Sequence, residues 1–184
     1  GALGASPESA EIMADLGLTP ICTTIVNFEK QHEVIARWRE RANAHGLDTS
    51  KPIPLMVNCI IADTDEEAIE NAKTFIPPFM QQQVDHYEGD KDHFKNLESY
   101  KSWSHVFNSM VDKCNPAAMP RWSQFQFVGS PETVCRQLER YMAVGFGNFL
   151  LHIATTGVPR TKRHDWMRRF AKEVAPRYSS KFKD

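Results

Sequence analysis

The residues with the best claim to binding chemistry stand near the start of the chain, at Ser6-Pro7-Glu8-Ser9. Ser is a preferred helix N-cap, Pro fits the first helical turn, and Glu complements the positive end of the helix dipole. A helix start of this kind exposes unpaired N–H groups and can hold a phosphate. The Ser6 and Ser9 hydroxyls can add hydrogen bonds, and the Ala5 and Ser6 amides can complete the cradle. The plainer reading is that Ser6 only caps the helix, and pattern alone favours it. The motif recurs at Ser130-Pro131-Glu132-Thr133, where capping alone is expected.

Other chemically capable residues form no recognisable constellation. His152 lies inside an apolar run, where a histidine is more often a hydrogen-bonded core residue than a catalyst. His86, His93 and His105 lack the spacing and neighbouring cysteines of a zinc site, so no metal centre is expected. Asp63, Asp65, Glu66 and Glu67 read as charge complementing a helix start. Arg160, Lys162, Arg163, Arg168 and Arg169 read as a solvated helix face. There is no G-x-G-x-x-G, no P-loop and no G-x-S-x-G elbow. Cys22, Cys59, Cys114 and Cys135 form no C-x-x-C pair and read as inert core thiols.

Composition narrows the class. The 184 residues carry 22 Lys+Arg against 23 Asp+Glu, which gives no basic surplus for a nucleic-acid partner. No apolar run approaches the ~20 residues of a membrane span. The first residues have neither the basic nor the apolar region of a signal peptide. A cytoplasmic protein is expected, built as a single domain over residues 1–184.

Helices and strands alternate along the chain. The Ser6 helix runs to Leu16 and stops at Gly17. A β-prone run follows, from Pro20 to Val26. Ile35, Trp38 and Ala42 mark an amphipathic helix over roughly residues 29 to 45. Pro52 and Pro54 bracket the start of the strongest strand, Leu55 to Ile61, whose nearly continuous apolar character suits a parallel strand covered on both faces. Thr64 and Glu67 have capping-box spacing for the next helix, which Pro77-Pro78 is expected to break. Tyr100, Trp103, Phe107 and Met110 suggest a further helix, ended by Pro116 and Pro120. Phe125 to Gly129, the Ser130 helix and the strand Gly147 to Ile153 follow. A last helix carries Trp166, Met167 and Phe170 and closes near Pro176. The alternation points to parallel βαβ construction. Three or four strands are countable, near residues 20–25, 54–61, 125–128 and 147–153, whereas a closed (β/α)8 barrel needs eight strands and typically ~250 residues.

Three stretches resemble the C-terminal half of the bacterial luciferase-like, flavin-dependent monooxygenases. They are Ala5 to Leu18 with its Ser-Pro-Glu-Ser helix, Ile60 to Ala68 with its strand and acidic helix start, and Val128 to Val134 followed by Gly145-Phe146 and Phe149 to His152. The resemblance implies an α/β fold of TIM-barrel (β/α)8 type, with only its C-terminal part here: three or four parallel strands and outer helices. It implies a monooxygenase that uses reduced FMN, supplied by a separate flavin reductase, and O2 on a small apolar substrate. Alternatives are an oxidoreductase using the deazaflavin F420, or a non-catalytic flavin-binding or assembly subunit. In that family the Ser-Pro-Glu-Ser segment contacts the FMN phosphate, which implies Ala5, Ser6 and Ser9 as cofactor-binding residues. Thr23 and Thr24 close the following strand, and barrel sites gather at C-terminal strand ends, so Thr24 joins them. The family's catalytic His belongs to the N-terminal half, leaving the catalytic residues here unknown. A partial barrel leaves open edges and an exposed apolar face, so cover by a missing half or another copy, in a dimer or higher oligomer, is expected.

Overall fold

The computed structural model describes residues 6–87, 101–153 and 156–178. Helix α1 (Pro7–Asp15) starts at Ser6, whose extended backbone and side chain make the expected N-cap. Strand β1 (Cys22–Thr23) follows, then helix α2 (Phe28–Ala44), capped by the Asn27 side chain. The central strand β2 (Ile53–Ile61) leads into helix α3 (Asp65–Tyr87). Helices α4 (Lys101–Asp112) and α5 (Met119–Ser123) precede strand β3 (Phe127–Gly129), helix α6 (Pro131–Ala143) and strand β4 (Phe146–His152). Helix α7 (Arg160–Arg169) ends the fold with two short turns, Phe170–Val174 and Ala175–Arg177.

All strand pairings are parallel and converge on β2. In a strand, the backbone polar groups of alternate residues point to opposite edges. The Met56 carbonyl takes the Thr24 N–H, and the Ala62 N–H reaches the Gly129 carbonyl, so β1 and β3 follow one another along one edge. The Ile53 N–H donates to Gly145 on the other edge, where β4 pairs with Ile53 to Asn58. That pairing shifts register between Pro54 and Leu55.

The sheet has two unlike faces. Ile53, Leu55, Val57, Cys59 and Ile61 are buried against α1, α2 and α6, in a core that includes Ala10, Ile35, Trp38, Leu138 and Tyr141. On the opposite face Ile21, Met56 and Leu150 remain 38%, 40% and 48% exposed. Among the described residues, cover comes at its upper end, where Ile60 packs with Ile76, Met119, Trp122 and Trp166.

The two tandem prolines do not break α3, contrary to the sequence expectation. Pro77 is buried beside Ile76, Ala72 and Met80, so apolar packing offsets the lost backbone donors. Helix α4 ends at Asp112, before either later proline; Pro116 and Pro120 instead occupy first-turn positions of a short turn and of α5. Phe107 and Met110 pack with Val84 as the pattern suggests, while Tyr100 lies outside the described residues. The cysteines are free; Cys22, Cys59 and Cys135 are buried and Cys114 is half-buried.

Candidate functional site

The two Ser-Pro-Glu motifs share their internal geometry. Ser9 N–H donates to Ser6 Oγ at 3.3 Å, and the Ser6 and Ser9 hydroxyls lie 3.1 Å apart. Thr133 N–H donates to Ser130 Oγ at 3.4 Å, and those two hydroxyls lie 3.3 Å apart. The second motif does more than cap. The Ser130 N–H donates to Asp65 Oδ1 at 2.7 Å and the Thr133 hydroxyl donates to Asp65 Oδ2 at 2.8 Å. Burial raises the Asp65 pKa, but these bonds outweigh it and leave the carboxyl below its ordinary value. Asp65, expected only to complement the α3 dipole, therefore joins the start of α3 to the start of α6.

The first motif opens on a cleft of about 1040 Å³. Its apolar wall includes Val26, Phe28, Val106, Trp122 and Phe125. Asn27 and Phe28 begin α2, just past the C-terminal end of β1, so the cleft lies at that end of the sheet. Arg140 stacks over the Phe28 ring at 3.9 Å and pairs with Glu29, and Arg121 pairs with Asp112. Lys113 also lines the cleft and is 4% exposed. Its ammonium donates to the Ile25 carbonyl, and burial pushes its pKa down to about 8. Glu8 is exposed at the rim; its own backbone N–H and the Ser6 hydroxyl hold its carboxyl below the usual range.

Thr24 is buried at the end of β1. Its hydroxyl donates to Gln126 Oε1 at 2.6 Å, and Gln126 Nε2 donates back to the Thr24 carbonyl at 3.0 Å. Gln126 Oε1 also accepts from the Asn58 N–H at 3.2 Å and from Asn58 Nδ2 at 3.1 Å. This fully buried amide fills the gap between β1 and β3 along β2, where a backbone partner is missing. Thr23, opposite Met56, takes the open-face position instead. His152 Nδ1 meets Asn58 Oδ1 at 2.9 Å. Sequence reasoning passed over Gln126, Asn58 and Lys113. A polar residue inside an apolar run was the available signal for Asn58. Ala5 lies outside the described residues. Among the described residues no group of side chains is placed to hold a metal ion, and no helix is long and apolar enough to cross a membrane.

The family of luciferase-like monooxygenases matches residues 2–148, and the chain belongs to that family. No curated protein matches it. Its fold is similar to that of the monooxygenase RslO1 from Streptomyces bottropensis, with 19% identity and a TM-score of 0.63 over 96% of this chain and 47% of the other. It is also similar to the oxygenating constituent of 3,6-diketocamphane monooxygenase from the CAM plasmid of Pseudomonas putida, solved with FMN. There the identity is 15% and the TM-score 0.57, over 96% of this chain and 47% of that one. Flavoprotein 390 gives 13% identity and a TM-score of 0.57 over 99% of this chain and 68% of its own. The chain thus spans about half the length of the first two. With them it shares the parallel sheet and outer helices of a partial TIM barrel.

Proposed function

We propose that this chain is the C-terminal part of a flavin-dependent monooxygenase that uses reduced FMN and O2 on a small apolar substrate. The Ser6 helix start holds the FMN phosphate. One observation carries that assignment: the equivalent start at Ser130 holds a carboxylate with a backbone N–H and a hydroxyl. By position, the Ser6 N–H and the Ser9 hydroxyl are the matching donors, and Ser6 lines the cleft. The Ala5 amide adds a further donor. The residues therefore fit the phosphate group. Thr24 contributes from beneath, through Gln126, by fixing the sheet end beside the site. FMN is our first reading and F420 the alternative, since the proposed cradle suits a terminal phosphate.

Bound reduced FMN supplies the electrons that activate O2. The chain's own residues bind and shield. The cradle anchors the phosphate, while Val26, Phe28, Trp122 and Phe125 exclude water from an apolar substrate. The exposed face bearing Ile21, Met56 and Leu150 is the inner wall of the barrel, and further strands, from the rest of the protein or a partner copy, close over it. A separate reductase supplies the reduced flavin.

The test is a titration of the intact protein with FMN and with riboflavin. Replacing Ser6 and Ser9 by Ala removes hydrogen bonds to a charged group, each worth ~1.5–3 kcal/mol. FMN affinity should fall at least about tenfold, because ~1.4 kcal/mol is one decade. Riboflavin lacks the phosphate, so its affinity should stay unchanged. Equal FMN affinity in parent and double variant defeats the assignment.

A further inference from the structure

The open face of the sheet carries one oriented imidazole. In the register of β2 and β4, Met56 stands beside Leu150 and Asn58 beside His152. Met56 and Leu150 are exposed there, so Asn58 and His152, two residues further along each strand, point to the same side. They lie toward the C-terminal ends of parallel strands, the end at which barrel enzymes place their chemistry.

The hydrogen-bond chain beneath His152 settles its tautomer. The Thr24 carbonyl can only accept, so the Gln126 group facing it is the donating Nε2. Gln126 Oε1 is therefore the acceptor, and the Asn58 backbone N–H, which can only donate, points at that oxygen. The Asn58 group beside it must then be Nδ2, which leaves Asn58 Oδ1 facing His152. An amide oxygen accepts, so His152 Nδ1 carries a proton, and in the neutral ring Nε2 then keeps its lone pair. Free histidine favours the opposite tautomer. Phe79 covers the imidazole, with ring centroids 5.2 Å apart. Burial disfavours the charged form, and Nε2 has no hydrogen-bond partner among the described residues.

We propose that His152 is the acceptor of the barrel mouth: neutral, held as the Nδ1–H tautomer by Asn58, it takes through Nε2 a hydrogen bond from an N–H or O–H of the bound ligand. Asn58, Gln126 and Thr24 are positioning residues that act through it. The N–H source is the flavin ring; the O–H source is an apolar alcohol. The placement of His152 at a ligand site rests on the barrel reading given above, while the proton on Nδ1 rests on the hydrogen bonds and the neutral ring on its burial beneath Phe79.

The experiment is nitrogen NMR on the intact protein labelled in its histidines, without ligand and then with riboflavin or with 1-octanol. The His152 resonances are assigned by loss in His152→Gln. The expected result is a protonated Nδ1 and a bare Nε2 at neutral pH. One of the two ligands should then move the Nε2 resonance and leave Nδ1 bonded. Asn58→Leu should abolish the preference for Nδ1–H. If Asn58→Leu does not fold, the tautomer of the parent and the ligand arms still decide. An Nε2–H tautomer or an imidazolium in the parent overturns the inference, as does an Nε2 resonance that neither ligand moves. The function can fail separately. Loss of FMN binding with an intact octanol response removes the flavin reading alone, whereas FMN binding with an unresponsive His152 removes this inference alone.

Discussion

Asp65 offers a direct measure of what the Ser-Pro-Glu motif does to an anion. Its carboxylate takes the Ser130 N–H at 2.7 Å and the Thr133 hydroxyl at 2.8 Å. Bonds to a charged acceptor are worth ~1.5–3 kcal/mol each, and partial exposure places these at the lower end. Asp65→Ala should therefore cost about 2–3 kcal/mol. For a chain of this size each kcal/mol moves the melting temperature by about 2–4 °C, so a drop of about 4–12 °C is expected at pH 7. The folded-state pKa of Asp65 lies below its ordinary 3.8. Its contribution is thus present above the unfolded value and disappears as pH falls through the folded one. Parent and variant should converge in acid, below that ordinary value. The variant also vacates an anion cradle. Inorganic phosphate should raise its melting temperature more than the parent's, because a ligand stabilises by RT ln(1 + [L]/Kd). Thermal melts at several pH values, with and without phosphate, read all of this. An unchanged melting temperature at pH 7, or equal response to phosphate in both proteins, would refute the claim that this motif binds anions, and with it the argument for the Ser6 copy.

Other outcomes follow from single residues. Glu8→Gln removes a carboxylate that lies against the Ser6 hydroxyl, so FMN affinity in a titration should rise a few-fold, and less at high salt. Lys113 has its pKa pushed from 10.5 down to about 8, so the unfolded chain binds more protons between those values and stability should rise across that range. Lys113→Met should flatten that part of a pH–stability curve measured by urea unfolding. Gln126→Leu leaves the Thr24 hydroxyl, the Thr24 carbonyl and the Asn58 donors without their buried partner; a loss of about 3–5 kcal/mol is expected in the same assay.

Much of the fold was legible because its signals are local. Ser6 and Ser130 cap helices, Gly17 and Gly46 adopt the left-handed conformation just past α1 and α2, and the apolar run to Ile61 is the central strand. The failures came where tertiary packing overrides local rules. Pro77 and Pro78 signal a break to any reader of single residues, yet the burial of Ile76, Pro77 and Met80 holds α3 together across them. Tandem use of one edge of β2 by β1 and β3 was likewise invisible. It depends on a side-chain amide, Gln126, standing where a backbone should be.

The site was legible as a motif and not as a pair of motifs in different states. From sequence, the repeat at Ser130 weakened the phosphate reading, since a cap explains both copies equally well. In three dimensions the repeat strengthens it. Asp65 lies 65 residues before Ser130 and meets it only because β2 and β3 run side by side, ending at Ile61 and Gly129. That pairing brings a carboxylate to the second helix start and none to the first. Two starts with the same Ser-Pro-Glu sequence and similar hydroxyl spacing therefore differ: Asp65 fills the anion position of one, whereas the other opens on a cleft with Glu8 at its rim against the Ser6 hydroxyl. The filled copy shows which donors a carboxylate engages at Ser130 and Thr133, and by analogy supports the Ser6 N–H and the Ser9 hydroxyl as the donors proposed for a phosphate.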